Sequence, residues 1–326
     1  MDWRRRHAYN YCPRVVDHVR HTRRQILTFA LGGAAGLALG VPGRLLAQAR
    51  AGAGPAAVQR LTDTVFVITV PGEANAVAYT TADGVVLIDG ASAAGSDALL
   101  QAVAALPGGR PVTTLFNTHW HPEQTGSNER LGKAGATIVA QENTRLWLTT
   151  DVTWPWNGRR FTRLPKVAQP NKAFFSAGTL GAGLRYGHIP DAAHTDGDLY
   201  VHFPEQNVLV AGDVVSGEGW PVVDYITGGW IGGIVGGIER LLALTDAQTR
   251  IVPGRGPVLS QADLKAQYEM YATVYVRLTE LLNKGRGPGE AVAARPTKEF
   301  DARMGNPDEF VRRAFESLWG YLSPDA

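Results

Sequence analysis

The segment at residues 118–126, Thr-His-Trp-His-Pro-Glu-Gln-Thr-Gly, constrains this chain more than any other stretch. It follows an apolar run at residues 112–117 that is typical of a buried strand. His119 and His121 are separated by one residue, and a short loop after a strand holds two imidazoles where they can converge on one ion. The motif therefore predicts a metal site. A His-x-His pair alone leaves two surface histidines open as the alternative.

Composition limits the class of protein and its partners. The 326 residues are 44% hydrophobic and 19% charged, which suits one large globular domain or two small ones. Residues 1–49 hold eight arginines and two acidic residues, so the rest carries 24 Lys+Arg against 28 Asp+Glu, a net charge of −4. A mildly acidic body without a basic run argues against nucleic acid as a partner. The expected partner is a small-molecule substrate. Because the single cysteine is Cys12, residues 50–326 cannot hold a disulfide or a thiolate metal site.

The first 49 residues have the order of a secretory signal. A basic segment with Arg23 and Arg24 precedes a weakly apolar run at residues 28–40, and a small-x-small cleavage site follows at residues 47–49. The paired arginines resemble a bacterial twin-arginine signal, which predicts export to the periplasm and a mature chain that begins near Arg50. A membrane anchor is the alternative, but the apolar run is shorter than the ~20 residues that a spanning helix needs. No stable membrane span is expected after cleavage.

The remaining chain divides into a linker and one domain. Residues 50–57 are rich in Gly, Ala and Pro and predict a linker, and residues 58–326 predict a domain with a C-terminal helical extension. Turn dipeptides separate three strand-like runs and predict an antiparallel meander at residues 65–70, 76–80 and 85–89. A second set of strands is predicted at residues 173–175, 184–186, 199–203 and 208–211. Helices are predicted near residues 233–244, 261–283 and 310–321. Two strand-rich halves, each followed by helices, predict two sheets packed face to face with helices outside.

Three further motifs lie where turns adjoin predicted strands. They are Asp-Ala-Ala-His-Thr-Asp-Gly-Asp at residues 191–198, Ala-Gly-Asp at 211–213, and Pro-Gly-Arg-Gly-Pro at 253–257. In their order and spacing, these motifs and the histidine segment resemble the metallo-β-lactamase fold superfamily over about residues 61–259. The resemblance implies an α/β fold, the four-layer αββα sandwich of that superfamily, and the activity of a metal-dependent hydrolase.

The resemblance also implies a set of metal ligands. Three histidines would hold the first ion, an aspartate would bridge to a second ion, and another aspartate would support the site by hydrogen bonds from outside it. Matched residue by residue, these positions are His119, His121, His194, Asp213 and Asp89. Only five histidines lie beyond residue 49, and three of them fall on the ligand positions; His188 and His202 match none and are predicted to be structural.

Two departures from the family pattern predict a single ion. Where the family has Asp-His, this chain has Glu123 and Gln124, and where the family has Pro-Gly-His-Gly, this chain has Arg255. An amide oxygen is a poor zinc ligand, and a guanidinium cannot be one. We therefore expect a mononuclear site, with zinc as the expected ion. Arg255 is predicted either to replace the second ion as a positive charge beside Glu123 and Asp213, or to bind a substrate carboxylate or an oxyanion; a plain internal salt bridge is the alternative.

Three neutral histidines and an open position are what a catalytic zinc requires. Asp213 and Glu123 are then the candidate catalytic bases. The predicted function is that of an exported hydrolase acting on an ester, lactone, thioester or β-lactam bond. A catalytically weak or inactive member that binds a ligand or a partner is the alternative, and an iron redox variant is weaker because it needs the missing ligands. Large aromatic residues in the loops are expected to form the pocket wall: Trp154, Trp156, Trp220 and Trp230.

Overall fold

The computed structural model describes residues 54–181 and 183–322. The predicted signal at residues 1–49, the cleavage site and the start of the predicted linker lie outside the described residues. Among the helices in the described ranges, none is both long enough and apolar enough to cross a membrane.

Fourteen strands and nine α-helices are found in the described part of the chain. The strands are β1 (Ala57–Arg60), β2 (Val65–Thr69), β3 (Asn75–Thr80), β4 (Val85–Ile88), β5 (Val112–Phe116), β6 (Thr137–Gln141), β7 (Val152–Thr153), β8 (Arg160–Phe161), β9 (Lys172–Phe174), β10 (Ala177–Leu180), β11 (Leu184–His188), β12 (Leu199–Phe203), β13 (Val208–Ser216) and β14 (Arg250–Arg255). The helices are α1 (Ser96–Ala104), α2 (Pro122–Thr125), α3 (Asn128–Lys133), α4 (Glu142–Leu148), α5 (Ile231–Leu242), α6 (Gln261–Asn283), α7 (Pro288–Ala293), α8 (Asp301–Met304) and α9 (Asp308–Leu322).

The strands form two large sheets and one small hairpin. The first sheet has the order β1-β2-β3-β4-β5-β6-β9, and the second has the order β10-β11-β12-β13-β14. In the first sheet, β2, β3 and β4 pair antiparallel, which confirms the predicted meander, while β4, β5, β6 and β9 pair parallel. The short strands β7 and β8 pair with each other in an antiparallel hairpin.

The two sheets bury one shared core because their strands alternate in side-chain direction. In β2, Val65 and Val67 face the second sheet, whereas Phe66 and Ile68 face the outer helices. Helices α1 and α3 contribute to the cluster on the outer side of the first sheet, and α5, α6 and α9 contribute to the cluster outside the second. Each fully buried large aliphatic or aromatic side chain stabilises the folded state by about 1.5–3 kcal/mol relative to leaving it exposed to water. The helix–sheet–sheet–helix arrangement confirms the predicted αββα sandwich.

The long helix α6 illustrates why the local predictions succeeded. Ser260 accepts a hydrogen bond from the Asp263 backbone, and the Asp263 carboxylate accepts one from the Ser260 backbone, so a capping box fixes the first turn. Buried Leu264, Met270 and Tyr271 then recur on one face at helical spacing. Helix start, length and buried face are all encoded within this one segment.

Candidate metal centre

His119 and His121 lie between the end of β5 and the start of α2, and both are buried. His121 is the N-cap of α2 in an extended conformation, and Pro122 is the first helical residue. Proline is suited to that position because the first turn of a helix needs no N–H donor there. The strand and the helix start therefore fix the backbone on both sides of the His-x-His pair.

The fold brings two further predicted residues to this pair. His194 precedes β12 and Asp213 lies within β13, and one ligand atom from each of His119, His121, His194 and Asp213 lies within 4.8 Å of the others. His194 Nε2 is 3.1 Å from His121 Nδ1. Asp213 Oδ2 is 3.8 Å from His119 Nε2 and 3.9 Å from His194 Nε2. The four predicted ligands thus form one compact group.

Each imidazole is oriented by a hydrogen bond on the side away from the group. The Val222 carbonyl oxygen lies 2.6 Å from His194 Nδ1, and the Thr118 hydroxyl lies 3.1 Å from His119 Nδ1. A carbonyl oxygen only accepts, so His194 carries its proton on Nδ1 and presents the Nε2 lone pair to the group. Such contacts fix both the tautomer and the ring plane of a metal-binding histidine.

Asp224 gives His121 the equivalent support, and the sequence offered no motif to identify it. Its buried carboxylate lies 3.0 Å from His121 Nε2 and accepts from Thr227 Oγ1 at 2.7 Å and from Trp154 Nε1 at 3.3 Å. Burial raises the pKa of Asp224, but its hydrogen bonds with His121 and with the Thr227 hydroxyl, together with its attraction to the nearby imidazoles, hold that pKa below its usual value. The carboxylate therefore stays ionised and turns His121 Nδ1 towards the group.

The donor set fits a divalent metal ion. His119 Nε2 is buried, and no hydrogen-bond partner for it is found among the described residues. Burial lowers the pKa of His119 well below its usual value, with further lowering from His194, His121 and Arg255, so its ring is neutral near pH 7. A tetrahedral ion with bonds of about 2.0–2.1 Å separates its donor atoms by about 3.3 Å, close to the spacings here. Without a bound cation, the lone pairs that converge in this buried space would repel one another.

Asp89 supports the loop from behind, at the position that the resemblance implied. Its carboxylate accepts from the Thr118 backbone N–H and from the Thr118 hydroxyl, both at 2.8 Å. The same hydroxyl contacts His119 Nδ1. Asp89 adopts a positive φ of 63°, a conformation that a non-glycine residue rarely adopts. Burial raises the pKa of Asp89 well above its usual value, while its two bonds to Thr118 oppose that rise.

The C-terminal helix braces the segment that carries Asp224. Tyr321 Oη in α9 donates to the Gly228 carbonyl at 2.5 Å, and the Ile231 backbone N–H donates to Ser317 Oγ at 3.3 Å. The rings of Trp230 and Tyr321 are stacked with centroids 4.3 Å apart. Helix α9 thus contributes to the metal centre indirectly, through the loop that orients His121.

Gln124, one of the residues that depart from the family pattern, is hydrogen-bonded to Asp213. Its amide Nε2 donates to Asp213 Oδ1 at 3.2 Å, and the Gln124 side chain is fully buried. The Glu123 carboxylate does not pair with the histidine group, and its Oε1 lies 3.4 Å from Arg159 Nη1. Within residues 54–181 and 183–322, no second group of three or more His, Cys, Asp or Glu side chains has the spacing of a metal site.

Arg255 does not form the expected ion pair with Glu123 or Asp213. Its guanidinium donates to the Gly72 carbonyl at 3.5 Å, and Arg159 takes the place beside Glu123. The backbone of Gly254 approaches Asp213 instead, since a Cβ at residue 254 would lie 1.8 Å from Asp213 Oδ1. This close approach requires glycine at residue 254.

The four tryptophans that were predicted to form the pocket wall lie in two separate pairs. Trp154 lies against the site, with its ring centroid 5.1 Å from that of His121, and Trp156 stacks on Trp154 at 4.9 Å. Trp220 stacks on Phe310 at 4.5 Å and Trp230 stacks on Tyr321. The second pair therefore packs against α9, because that helix supplies an apolar face that the sequence pattern did not connect to these residues.

A comparison with protein families shows which family this chain belongs to. The model of the metallo-beta-lactamase superfamily matches residues 69–269, more than half of the chain. The chain belongs to this superfamily. Among curated proteins, it is 26% identical over 127 residues to the hydroxyacylglutathione hydrolase of Erythrobacter litoralis strain HTCC2594. That match spans 38% of this chain and 41% of the relative, so less than half of the relative's length is covered.

Several solved structures share the fold of this chain. The metallo-beta-lactamase from Pontibacter korlensis has a TM-score of 0.54 at 20% identity, covering 67% of this chain and 99% of that one. The metallo-beta-lactamase FIM-1 from Pseudomonas aeruginosa, in its mono-zinc form, has a TM-score of 0.55 at 15% identity, covering 68% of this chain and 96% of that one. The inverting sec-alkylsulfatase Pisa1 from Pseudomonas sp. has a TM-score of 0.62 at 16% identity and covers 83% of this chain and 51% of its own. The fold therefore extends across proteins of different activities.

Proposed function

We propose that this superfamily member is a hydrolase that uses one bound divalent ion, zinc, held by His119, His121 and His194 with Asp213 beside them. One observation carries the proposal: the three imidazoles are each fixed by an outer hydrogen bond, and their inner nitrogens meet Asp213 in a group where His119 Nε2 has no protein partner among the described residues. When bound there, zinc supplies a Lewis acid that makes water acidic enough to act as hydroxide near neutral pH.

Asp213 is the proposed proton acceptor. Its Oδ2 faces His119 and His194, while its Oδ1 is held by the Gln124 amide, so the carboxylate is oriented before substrate arrives. Glu123, the other candidate base, has its carboxylate beside Arg159. The geometry therefore favours Asp213 over Glu123.

Trp154 and Trp156 are proposed to line the substrate side of the site. Trp154 is buried against His121, and Trp156 extends the aromatic surface outward towards Tyr225. Apolar walls exclude water and strengthen the electrostatic effect of the neighbouring charges. The proposed substrates are acyl compounds with an ester, thioester, lactone or β-lactam bond, and the hydroxyacylglutathione hydrolase relative supports the acyl class.

A metal and substrate screen tests this function. We expect one equivalent of zinc per chain by elemental analysis, because Gln124 occupies the other oxygen of Asp213 and no second ligand group exists within the described residues. Purified protein is then assayed with chromogenic ester, thioester, lactone and β-lactam substrates before and after chelation. Two tightly held equivalents would contradict the mononuclear site, and turnover that survives complete removal of metal would contradict the mechanism.

The second candidate is a ligand-binding member of the superfamily with little turnover. The replacement of the second ion's ligands by Glu123, Gln124 and Arg255 favours this reading. Metal-loaded protein that binds acyl compounds in calorimetry but shows no turnover in the same screen would support it over the hydrolase.

Export to the periplasm is a separate proposal that rests on the paired Arg23 and Arg24 and on the small-x-small site at residues 47–49. We expect intact-mass measurement of the exported protein to give a chain that begins near Arg50. A product that still contains residues 22–46 would show that the segment is retained as an anchor.

A further inference from the structure

A pocket of about 330 Å³ borders the loop that carries His119 and His121, but none of the four candidate metal ligands lines it. The loop contributes Trp120 and Pro122, and residues 147–168 supply most of the remaining wall. Sites for small molecules span about 300–1,000 Å³. An apolar cavity of about 150 Å³ already holds benzene, so this pocket has room for a compound with two fused rings.

The walls of this pocket are mainly apolar and carry three aromatic rings. Trp120 and Phe161 meet edge to face with their centroids 5.1 Å apart, and Trp147 supplies the third ring. Leu148, which is buried, and Leu164 add aliphatic surface. Because aromatic rings prefer edge-to-face or offset contacts with other rings, these walls favour a flat aromatic ligand over an aliphatic one of the same size.

Three polar groups on the walls already have partners in the protein. Trp120 Nε1 donates to Thr227 Oγ1 at 3.1 Å, and Trp147 Nε1 donates to Asp196 Oδ1 at 2.8 Å. The Thr125 hydroxyl donates to the backbone carbonyl four residues earlier, at 3.0 Å. A ligand therefore gains little from hydrogen bonds to these groups and binds mainly through its apolar surface.

Charge gives a ligand little additional affinity in this pocket. Glu129 and Arg160 are the charged residues that line it, they have opposite signs, and both are exposed. Water and salt screen the charges of exposed side chains. The ligand that best fits the pocket is therefore uncharged.

Trp120 also connects the pocket to the metal centre. The Thr227 hydroxyl, which accepts from the Trp120 indole, donates to Asp224 Oδ2 at 2.7 Å. The same carboxylate oxygen lies 3.0 Å from His121 Nε2. A ligand that packs against Trp120 thus contacts the group of side chains that orients a candidate metal ligand.

We propose that this pocket is a second small-molecule site, which takes an uncharged, flat aromatic compound of one or two rings and acts as an effector of the metal centre. The proposed ion holds the loop at His119 and His121, and the ligand packs against the same loop at Trp120 and Pro122. Whichever binds first orders residues that the other contacts, so each should strengthen the binding of the other by the same factor. This coupling rests on the proposed metal site, whereas the pocket itself does not.

Calorimetric titration with indole tests the site. Indole is expected to bind zinc-loaded protein with a Kd on the order of 0.1 mM, and to bind about 5-fold more weakly after the metal is removed. Cyclooctanol, an aliphatic compound of similar size, should bind about 10-fold more weakly than indole. Indole-3-acetate, which carries a negative charge, should bind no more tightly than indole.

Leu164→Gln is the main variant, because it replaces an apolar wall residue by an amide of similar size. It should weaken indole binding about 10-fold. Leu180→Gln is the matched control: Leu180 is also partly buried, but it lies on β10 in the second sheet, and this variant should keep the Kd of the parent. If Leu164→Gln does not fold, Thr150→Phe replaces it, since a ring at this exposed wall position should compete with the ligand.

Several results would overturn the pocket as a ligand site. They are an absence of indole binding, parental binding in Leu164→Gln or Thr150→Phe, and an equal loss of binding in Leu180→Gln. Indole binding that weakens as the protein concentration rises would show that a second copy covers the pocket, and would overturn the site as well. Tighter binding of indole-3-acetate, or equal binding of cyclooctanol, would overturn the class of ligand.

The coupling and the proposed function fail separately from the pocket. Equal Kd values for indole with and without zinc would overturn the coupling. A protein that binds no zinc would contradict the proposed function and the coupling together, and indole binding to that metal-free protein, lost in Leu164→Gln, would still support the pocket.

Discussion

Replacing His121 by alanine is expected to remove the bound ion and reduce kcat/KM by at least about 1,000-fold. In the proposed site His121 is one of three imidazole ligands, and its loss leaves His194 Nε2 without its neighbour at 3.1 Å. It also leaves the buried Asp224 carboxylate without its closest ring partner. Elemental analysis gives the metal content, and steady-state kinetics on whichever acyl substrate the screen identifies gives the rate.

His202→Ala is the control for this variant. His202 lies on β12, at a position outside the ligand group, and it is only partly buried. The His202→Ala variant should retain the bound ion and the kcat/KM of the parent protein. A His121→Ala protein that holds one equivalent of zinc with parental affinity would exclude His121 as a ligand, and activity without bound metal would exclude the mechanism.

The second large effect is expected for Asp224→Asn, which should weaken zinc binding by about 10- to 100-fold. The buried carboxylate is surrounded by donors from His121, Thr227 and Trp154. Asparagine keeps the shape, but it replaces one acceptor oxygen by an N–H donor and removes the charge that orients His121. An uncompensated buried polar group should also lower the free energy of unfolding by about 1–3 kcal/mol.

Chelator competition measures the zinc affinity of this variant, and thermal unfolding with saturating zinc and without zinc separates the two effects. Asp151→Asn is a suitable control, because Asp151 is exposed and pairs loosely with Arg163 at 4.0 Å. If Asp224→Asn binds zinc as the parent does, Asp224 is a structural acid of the loop and His121 needs no such partner.

The C-terminal helix matters to both experiments. Helix α9 lies outside residues 69–269, the part that matches the superfamily model, yet it contacts the segment between Asp224 and Ile231. Its position explains why Trp220 and Trp230 pack away from the histidines. The extension therefore braces a ligand-orienting loop in addition to covering the second sheet.

Local sequence patterns predicted the layered fold, and the resemblance to the superfamily implied the candidate metal ligands. Hydrophobic alternation marked β2, β3 and β4, and helical periodicity with a capping box marked α6. The histidine motif and the order of the later motifs placed the candidate ligands in one family pattern, and the fold brought them together. Weak or short elements were missed, including exposed β1, edge strand β10, and helices α7 and α8, because a few residues carry little periodic signal.

Only the tertiary structure decided the partners of those ligands. Asp224 lies 103 residues from His121 in the chain, and Arg159 lies 36 residues from Glu123, so no local pattern links them. The sequence suggested Arg255 for the counter-charge because it stands where the family has a histidine. In the fold, Gly254 is the residue that packs against Asp213, and Arg255 donates to the Gly72 carbonyl between β2 and β3. The physical reason is that packing and charge pairing depend on which surfaces the chain brings together, which periodicity alone does not specify.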